Sequence, residues 1–254
     1  MLIDTHTHLY SEAFAEDRNA MIQRALNVGV EHFYIPAIDS SYTASMYELE
    51  KSNPKKVSLM MGLHPTSVKA NFEEELAHVE EQFQQREFCA VGEIGIDLYW
   101  DKSTLEIQKI AFKRQIQLAK RKALPIVIHC RDAFDEIFEV LETEKDETLY
   151  GIFHCFTGTL EEAHKAIGFG MKLGIGGVVT FKNGKIDTFL DQIPLKHLVL
   201  ETDAPYLAPV PYRGKRNESS YLPLICEKVA AIYGISEEEV ASKTTQNALE
   251  IFKK

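Results

Sequence analysis

The stretch LIDTHTHL, residues 2–9, opens like a β-strand, with Leu2 and Ile3 ahead of two threonines, and then sets His6 and His8 one residue apart. β-Branched and apolar residues suit a pleated, half-buried backbone. A period of two puts both imidazoles on one side of such a strand. Asp4 shares that parity one step deeper, where it could orient an imidazole. Two imidazoles on one apolar strand need partners, because a polar group buried without one is costly.

Working outward, runs of the same kind recur at HFYIPAI (32–38), KVSLMMGLHP (56–65), FCAVGEIGID (88–97), PIVIHCRD (125–132), YGIFHCFTG (150–158), MKLGIGG (171–177) and HLVLETDAP (197–205), making eight in all. Stretches of helical period lie between them, as in TLEIQKIAFKRQIQLAKRK, where Phe112, Ile116 and Ala119 recur at four and three residues. Ser103 with Glu106, Thr159 with Glu162, and Ser236 with Glu239 fit the capping box that starts a helix. Strand–helix alternation implies parallel strands, since a parallel pair needs a crossover. No glycine-rich dinucleotide turn follows the first run, which argues against an open doubly wound sheet. Eight such units over residues 1–254 predict a single-domain α/β (β/α)₈ TIM barrel, with one or two added helices after residue 219.

The rest of the composition sets bounds. A chain of 254 residues can bury a full core without disulfides or a structural metal. Cys89, Cys130, Cys155 and Cys226 form no CxxC pair, and no long apolar run or leader is visible, so a cytoplasmic protein with no membrane role is expected. A formal net charge of −10 disfavours a broad duplex-binding face but leaves room for an anionic chain end in a local basic pocket. No obligate protein partner is indicated.

Side chains able to bind metal cluster at the C-terminal ends of the runs: His6 and His8, Glu93, His129, His154 and Asp203. In a barrel those ends converge on the face that carries active sites. Cys130 and Cys155 each follow a histidine, so they should point the other way and read as core residues. Glu201, with the parity of Asp203, should line the barrel beneath. His32, His78, His164 and His197 fall on helical stretches or strand starts and read as ordinary structural residues. Six ligands exceed the usual three of a catalytic zinc site and suit two adjacent divalent cations sharing Glu93. The chemistry expected is metal-assisted hydrolysis, with Asp203 taking the proton of the attacking water.

The ordered set THTHL, GLHP, VGEIGID, IHCRDA, FHCFTG, LETDAPYLAP and YRGKRNE, from residue 4 to residue 218, resembles the TatD family of metal-dependent deoxyribonucleases in the amidohydrolase superfamily. The resemblance implies the barrel fold and a two-metal centre formed by His6, His8, Glu93, His129, His154 and Asp203. Glu93 would stand where many superfamily members use a modified lysine. It also implies magnesium-supported nuclease activity, in several members 3′-to-5′. Imidazole-rich ligation itself favours zinc, manganese or iron. The substrate expected is a DNA chain end or another phosphodiester, with His64, Arg131 and Arg213 as phosphate contacts. Arg213, Lys215 and Arg216 form one basic loop after the eighth run, where barrels often bind phosphate. Tyr99 and Trp100 read as packing aromatics, with stacking on a base as the alternative. The residues RNESS lack the proline that commonly follows the family's glutamate, and YWDKS lacks an arginine that many members carry nearby. Rival readings are hydrolysis of another ester or amide, such as an aminoacyl-tRNA deacylase, and a non-catalytic interaction protein, whose expected signature, a lost ligand, is absent.

Overall fold

Each of the eight apolar runs contributes a strand in the computed structural model, which describes residues 1–252. The strands are β1 (Leu2–Asp4), β2 (Val30–Ile35), β3 (Val57–Leu59), β4 (Val91–Asp97), β5 (Ile126–Arg131), β6 (Gly151–Phe153), β7 (Met171–Ile175) and β8 (Leu198–Leu200). All pair in parallel with their sequence neighbours, as β1-β2-β3 and β4-β5-β6-β7-β8. A parallel bridge from Met61 to Val91 joins the two arcs. The ring closes where the Thr5 N–H donates to Leu200 O at 3.1 Å. The chain is a single-domain barrel of the TIM type.

Helices α1 (Arg18–Asn27), α2 (Thr43–Ser52), α3 (Phe72–Gln85), α4 (Leu105–Lys122), α5 (Phe134–Glu144) and α6 (Leu160–Gly168) supply the crossovers, and α7 (Leu222–Tyr233) and α8 (Glu237–Phe252) follow β8. Between β7 and β8 the crossover is made instead by short 3₁₀ turns, among them Gly177–Thr180 and Leu190–Gln192. Of the expected capping boxes, Thr159 and Glu162 form a full one at α6. At α8 only half forms, with the Glu239 N–H donating to Ser236 Oγ at 3.1 Å. Ser103 instead lies inside a 3₁₀ turn capped by the Asp101 carboxylate. No helix among the described residues is long and apolar enough to cross a membrane.

Strand alternation sorts the core into two layers. On β5, Ile126 and Ile128 pack outward with the helices, while Val127 packs inward with Ile3, Tyr34, Met60, Ile152 and Val199. Helix α8 closes that inner layer with Ala248, Ile251 and Phe252, and the Phe252 ring stacks on Tyr34 at a centroid distance of 3.7 Å. Asn247 Nδ2 fixes the helix by donating to Leu195 O and Leu198 O at 2.8 and 2.7 Å. Each large side chain buried here stabilises the fold by about 1.5–3 kcal/mol. Two residues further along the same inward parity lie His129, His154 and Glu201, so the apolar plug ends where the polar site begins.

The strands stop sooner than the apolar runs. β1 ends at Asp4, β6 at Phe153 and β8 at Leu200, so His6, His8, His154 and Asp203 stand on the loops just beyond.

Candidate metal centre

Glu93 lies within β4, a strand buried along its whole length, and is itself 2% exposed. Its two oxygens face different neighbours. Oε1 lies 2.8 Å from His129 Nδ1, 2.9 Å from His154 Nε2 and 3.2 Å from His64 Nε2. Oε2 lies 3.0 Å from His6 Nε2 and 3.7 Å from His8 Nε2. Asp203 Oδ1 completes the second group, 3.5 Å from His8 Nε2 and 3.8 Å from His6 Nε2. Ligand atoms of His6, His8 and Asp203 lie within 4.8 Å of one another, as do those of His6, Glu93 and His154, and of His64, Glu93 and His129.

The far nitrogens of these rings decide which lone pairs face inward. His129 Nε2 meets Asp97 Oδ2 at 2.9 Å, and His154 Nδ1 meets Glu201 Oε1 at 3.3 Å. Tyr10 donates its phenol proton to Pro36 O at 3.0 Å, so at 2.9 Å it must accept from His8 Nδ1–H. Neutral rings oriented in this way turn lone pairs toward Glu93 and Asp203. His129 meets carboxylates through both ring nitrogens, Nδ1 2.8 Å from Glu93 Oε1 and Nε2 2.9 Å from Asp97 Oδ2, and as a neutral ring held by Asp97 it would offer the Nδ1 lone pair to a cation. His6 Nε2 and Glu93 Oε2, though 3.0 Å apart, are not aligned as a hydrogen bond, and both are buried without any other partner. A converging set of imidazoles and carboxylates with orphaned buried atoms fits divalent transition-metal ions.

The electrostatics show how strongly these groups couple. Burial pushes the Glu93 carboxyl up, but the imidazoles of His154, His64 and His6 outweigh it and hold the group well below the usual carboxylate range. Asp203 is lowered in the same way, with burial overcome by His8, His154 and His6. Burial pushes His129 down, yet Asp97 and Glu93 raise it above an ordinary histidine. His154 is raised further, against burial, by Glu93 and Glu201. His6 and His64 are lowered, with burial the largest cause.

Loop geometry aims the remaining groups. Asp4 does not orient an imidazole as expected. It accepts from the Thr202 N–H at 2.9 Å, Thr202 Oγ1 at 2.6 Å and Ser219 Oγ at 2.6 Å, tying the β8 loop to β1. Burial raises this carboxyl to about 7 against those hydrogen bonds. Cys155 and Asp203 adopt left-handed backbone, with φ of 44° and 55°, which turns them out of strand parity. Glu201 lies beneath the site as expected and also accepts from the Cys155 N–H at 2.5 Å. A β-carbon at Gly174 would collide with Glu201 Oε2, so glycine there makes room for the carboxylate.

A cavity of about 670 Å³ opens over the cluster. It is lined in part by His8, His64, Glu93, His129, His154 and Asp203, and also by Arg131. His64 lies closer in than a phosphate contact would, against Glu93, with its Nδ1 2.7 Å from Thr66 Oγ1. Arg213 is not among the lining residues, because its guanidinium sits 3.8 Å from the centre of the Phe181 ring. Arg216 turns away to Asp17, with contacts of 2.6 and 2.8 Å, so the basic loop is partly spent on structure. Cys130 packs against the core as expected, but both it and Cys155 also line the cavity. Tyr99 and Trp100 are not packing residues: they are 54% and 71% exposed. Asp97 and Tyr10 escaped the sequence reading. Their signal was parity, four residues after Glu93 and two after His8.

The chain matches the family model described as TatD related DNase over residues 3–253. It is 40% identical over 255 residues to a protein of Bacillus subtilis (strain 168) described as the uncharacterized metal-dependent hydrolase YabD, covering 100% of this chain and 99% of that one. It is 32% identical to a 3′-5′ ssDNA/RNA exonuclease TatD of Pantoea vagans (strain C9-1), covering 99% of each. The crystal structure of the TatD homologue YjjV of Escherichia coli K12 is similar with a TM-score of 0.93 at 28% identity, covering 100% of this chain and 98% of that one.

Proposed function

The chain belongs to the TatD related DNase family and is a metal-dependent hydrolase, and from that membership we propose that it is a deoxyribonuclease removing nucleotides from the 3′ end of single-stranded DNA. The observation that carries this reading is the division of the Glu93 carboxylate between two groups of donors beneath one open cavity. His6, His8 and Asp203 with Glu93 Oε2 would hold one divalent ion, and His129 and His154 with Glu93 Oε1 a second. Two Mg²⁺, Mn²⁺ or Zn²⁺ ions would supply an acidified water and positive charge for the attacking and leaving oxygens.

The protein groups do the rest. Asp203 is lowered by its histidine neighbours and stays ionised at neutral pH, as an acceptor for the proton of the attacking water must. Water adds to phosphorus, the P–O3′ bond breaks, and the proton passes from Asp203 to the departing 3′ oxygen. The terminal nucleotide leaves with its 5′ phosphate. Arg131, always charged and on the cavity wall, would hold a phosphate.

The test is digestion of an end-labelled single-stranded DNA oligonucleotide by the protein loaded with magnesium, manganese or zinc. Stepwise shortening from the 3′ end is expected, abolished by EDTA and reduced about 10²- to 10⁴-fold in Asp203→Asn. Metal-loaded protein that leaves the strand intact with all three ions, yet hydrolyses simple esters or amides, would overturn the nuclease reading.

A further inference from the structure

Trp100 is the most exposed large apolar side chain of the described residues and stands on the wall of the cavity. An indole normally buries most of a large surface, and an exposed one beside a cavity marks a contact surface. Tyr99 packs edge-on against it, with ring centroids 5.0 Å apart at 89°. The Arg131 guanidinium lies 3.7 Å from the Tyr99 ring centre and 5.7 Å from that of Trp100. The cavity wall therefore carries an exposed indole and a guanidinium, with the Tyr99 ring packed against both.

This rim is not a loose loop. The N–H groups of Tyr99 and Trp100 donate to Asp97 Oδ1 at 3.0 and 3.2 Å, and the other oxygen of the same carboxylate meets His129 Nε2 at 2.9 Å. Asp97 thus fixes the aromatic rim and one imidazole of the site relative to each other. The occupant that suits such a rim is anionic next to the guanidinium and flat next to the indole.

We propose that Trp100, braced by Tyr99 and Arg131, is a stacking platform for an unpaired base of the strand end. The inference rests on the nuclease reading and adds a specificity element to it. A base in a duplex has its faces covered by its neighbours, whereas an unpaired base can lie on an aromatic face whatever its identity. The platform therefore selects single-stranded ends without selecting sequence, and Arg131 holds the adjoining phosphate.

Trp100 is the chain's single tryptophan, so intrinsic fluorescence reports on this side chain alone. The experiment titrates metal-loaded protein with a short single-stranded oligonucleotide whose phosphorothioate linkages resist cleavage. The same strand with abasic sugars at its 3′ end is the comparison. Quenching by the base-bearing strand but not by the abasic one is expected. Affinity for the base-bearing strand should fall about tenfold in Trp100→Ala and much less in Trp100→Phe. The preference for base-bearing over abasic ends should collapse toward unity in Trp100→Ala, and the exposure of the side chain keeps that variant folded. Equal quenching by both strands, or an unchanged preference in Trp100→Ala, would overturn the platform while leaving 3′ digestion standing. Base-dependent quenching by this strand, with no digestion of the same strand carrying ordinary phosphodiester linkages, would support the platform and sink the nuclease reading instead. Failure of both strands to bind would overturn both readings.

Discussion

The two halves of the proposed metal centre are held in different ways. On the β5–β6 side, Asp97 of the adjacent β4 hydrogen-bonds to His129 at 2.9 Å, and the buried Glu201, just beyond β8, approaches His154 Nδ1 to 3.3 Å. On the β1 side, His8 is backed only by the neutral phenol of Tyr10, and His6 lies flat on His154, with centroids 3.8 Å apart at 11°. A carboxylate behind an imidazole makes it a stronger ligand and fixes its tautomer. A phenol fixes the tautomer and adds little charge. The β1 half gains its order elsewhere, from the Asp4 hub that joins β1 to Thr202 and Ser219. The difference shows that ligand strength and ligand placement can be set by separate parts of the fold.

Glu93 is the element the two halves share, and its loss should have the largest effect. In Glu93→Gln we expect kcat/KM on single-stranded DNA to fall by on the order of 10³-fold or more, with both metal equivalents lost together in elemental analysis. Retention of one equivalent would show that the halves bind independently and would break the picture of a shared carboxylate.

The halves should then respond unequally to loss of their backing groups. Asp97→Asn is expected to weaken one metal equivalent by about 10- to 100-fold in a competition titration, leaving the other near its original affinity. Tyr10→Phe removes a neutral hydrogen bond and should weaken the other equivalent by only about two- to tenfold. Equal effects of the two substitutions would erase the distinction between a charged and a neutral backing group.

How much of this could be read from sequence follows the same division. Where strand alternation runs on to the site, within β5 or one residue past β6 and β8, parity was enough: Val127 to His129, Ile152 to His154 and Val199 to Glu201 each step by two from the inner core layer. The barrel and the six clustered side chains were legible because apolar periodicity and strand ends are local signals. The failures concern which partner a side chain takes. Asp4 shares the parity of His6, yet it serves loop N–H and hydroxyl groups nearly two hundred residues away, and no spacing rule encodes that. Arg213 and Arg216 looked like phosphate ligands by composition, but Phe181 and Asp17, distant in sequence, engage them. Tyr99 and Trp100 looked like core by type. Asp97 holds the backbone of their loop by hydrogen bonds, so the rings are free to face solvent.

The smallest effect expected lies furthest from the ligands, at the outer brace of the β1 half. Asp17 pairs with Arg216 and with Arg24, and Arg24 in turn meets Glu218, the residue before the Ser219 that serves Asp4. Arg216 and Arg24 hold the Asp17 carboxyl below the usual range. A carboxyl lowered in the folded state stabilises it above the unfolded pKa of about 4, and that contribution disappears as pH falls toward the folded value. The partners are partly exposed and screened by solvent, so Asp17→Asn should cost under about 1 kcal/mol at pH 7. The gap between variant and wild type in urea denaturation should narrow on acidification to pH 3. Metal affinity of the β1 half should change less than twofold, since Asp4 keeps its own hydrogen bonds whether or not the outer brace is present. A change as large as that of Tyr10→Phe would mean instead that placement of this half depends on the surface ion pairs, and the Asp4 hub would lose its claim to set it.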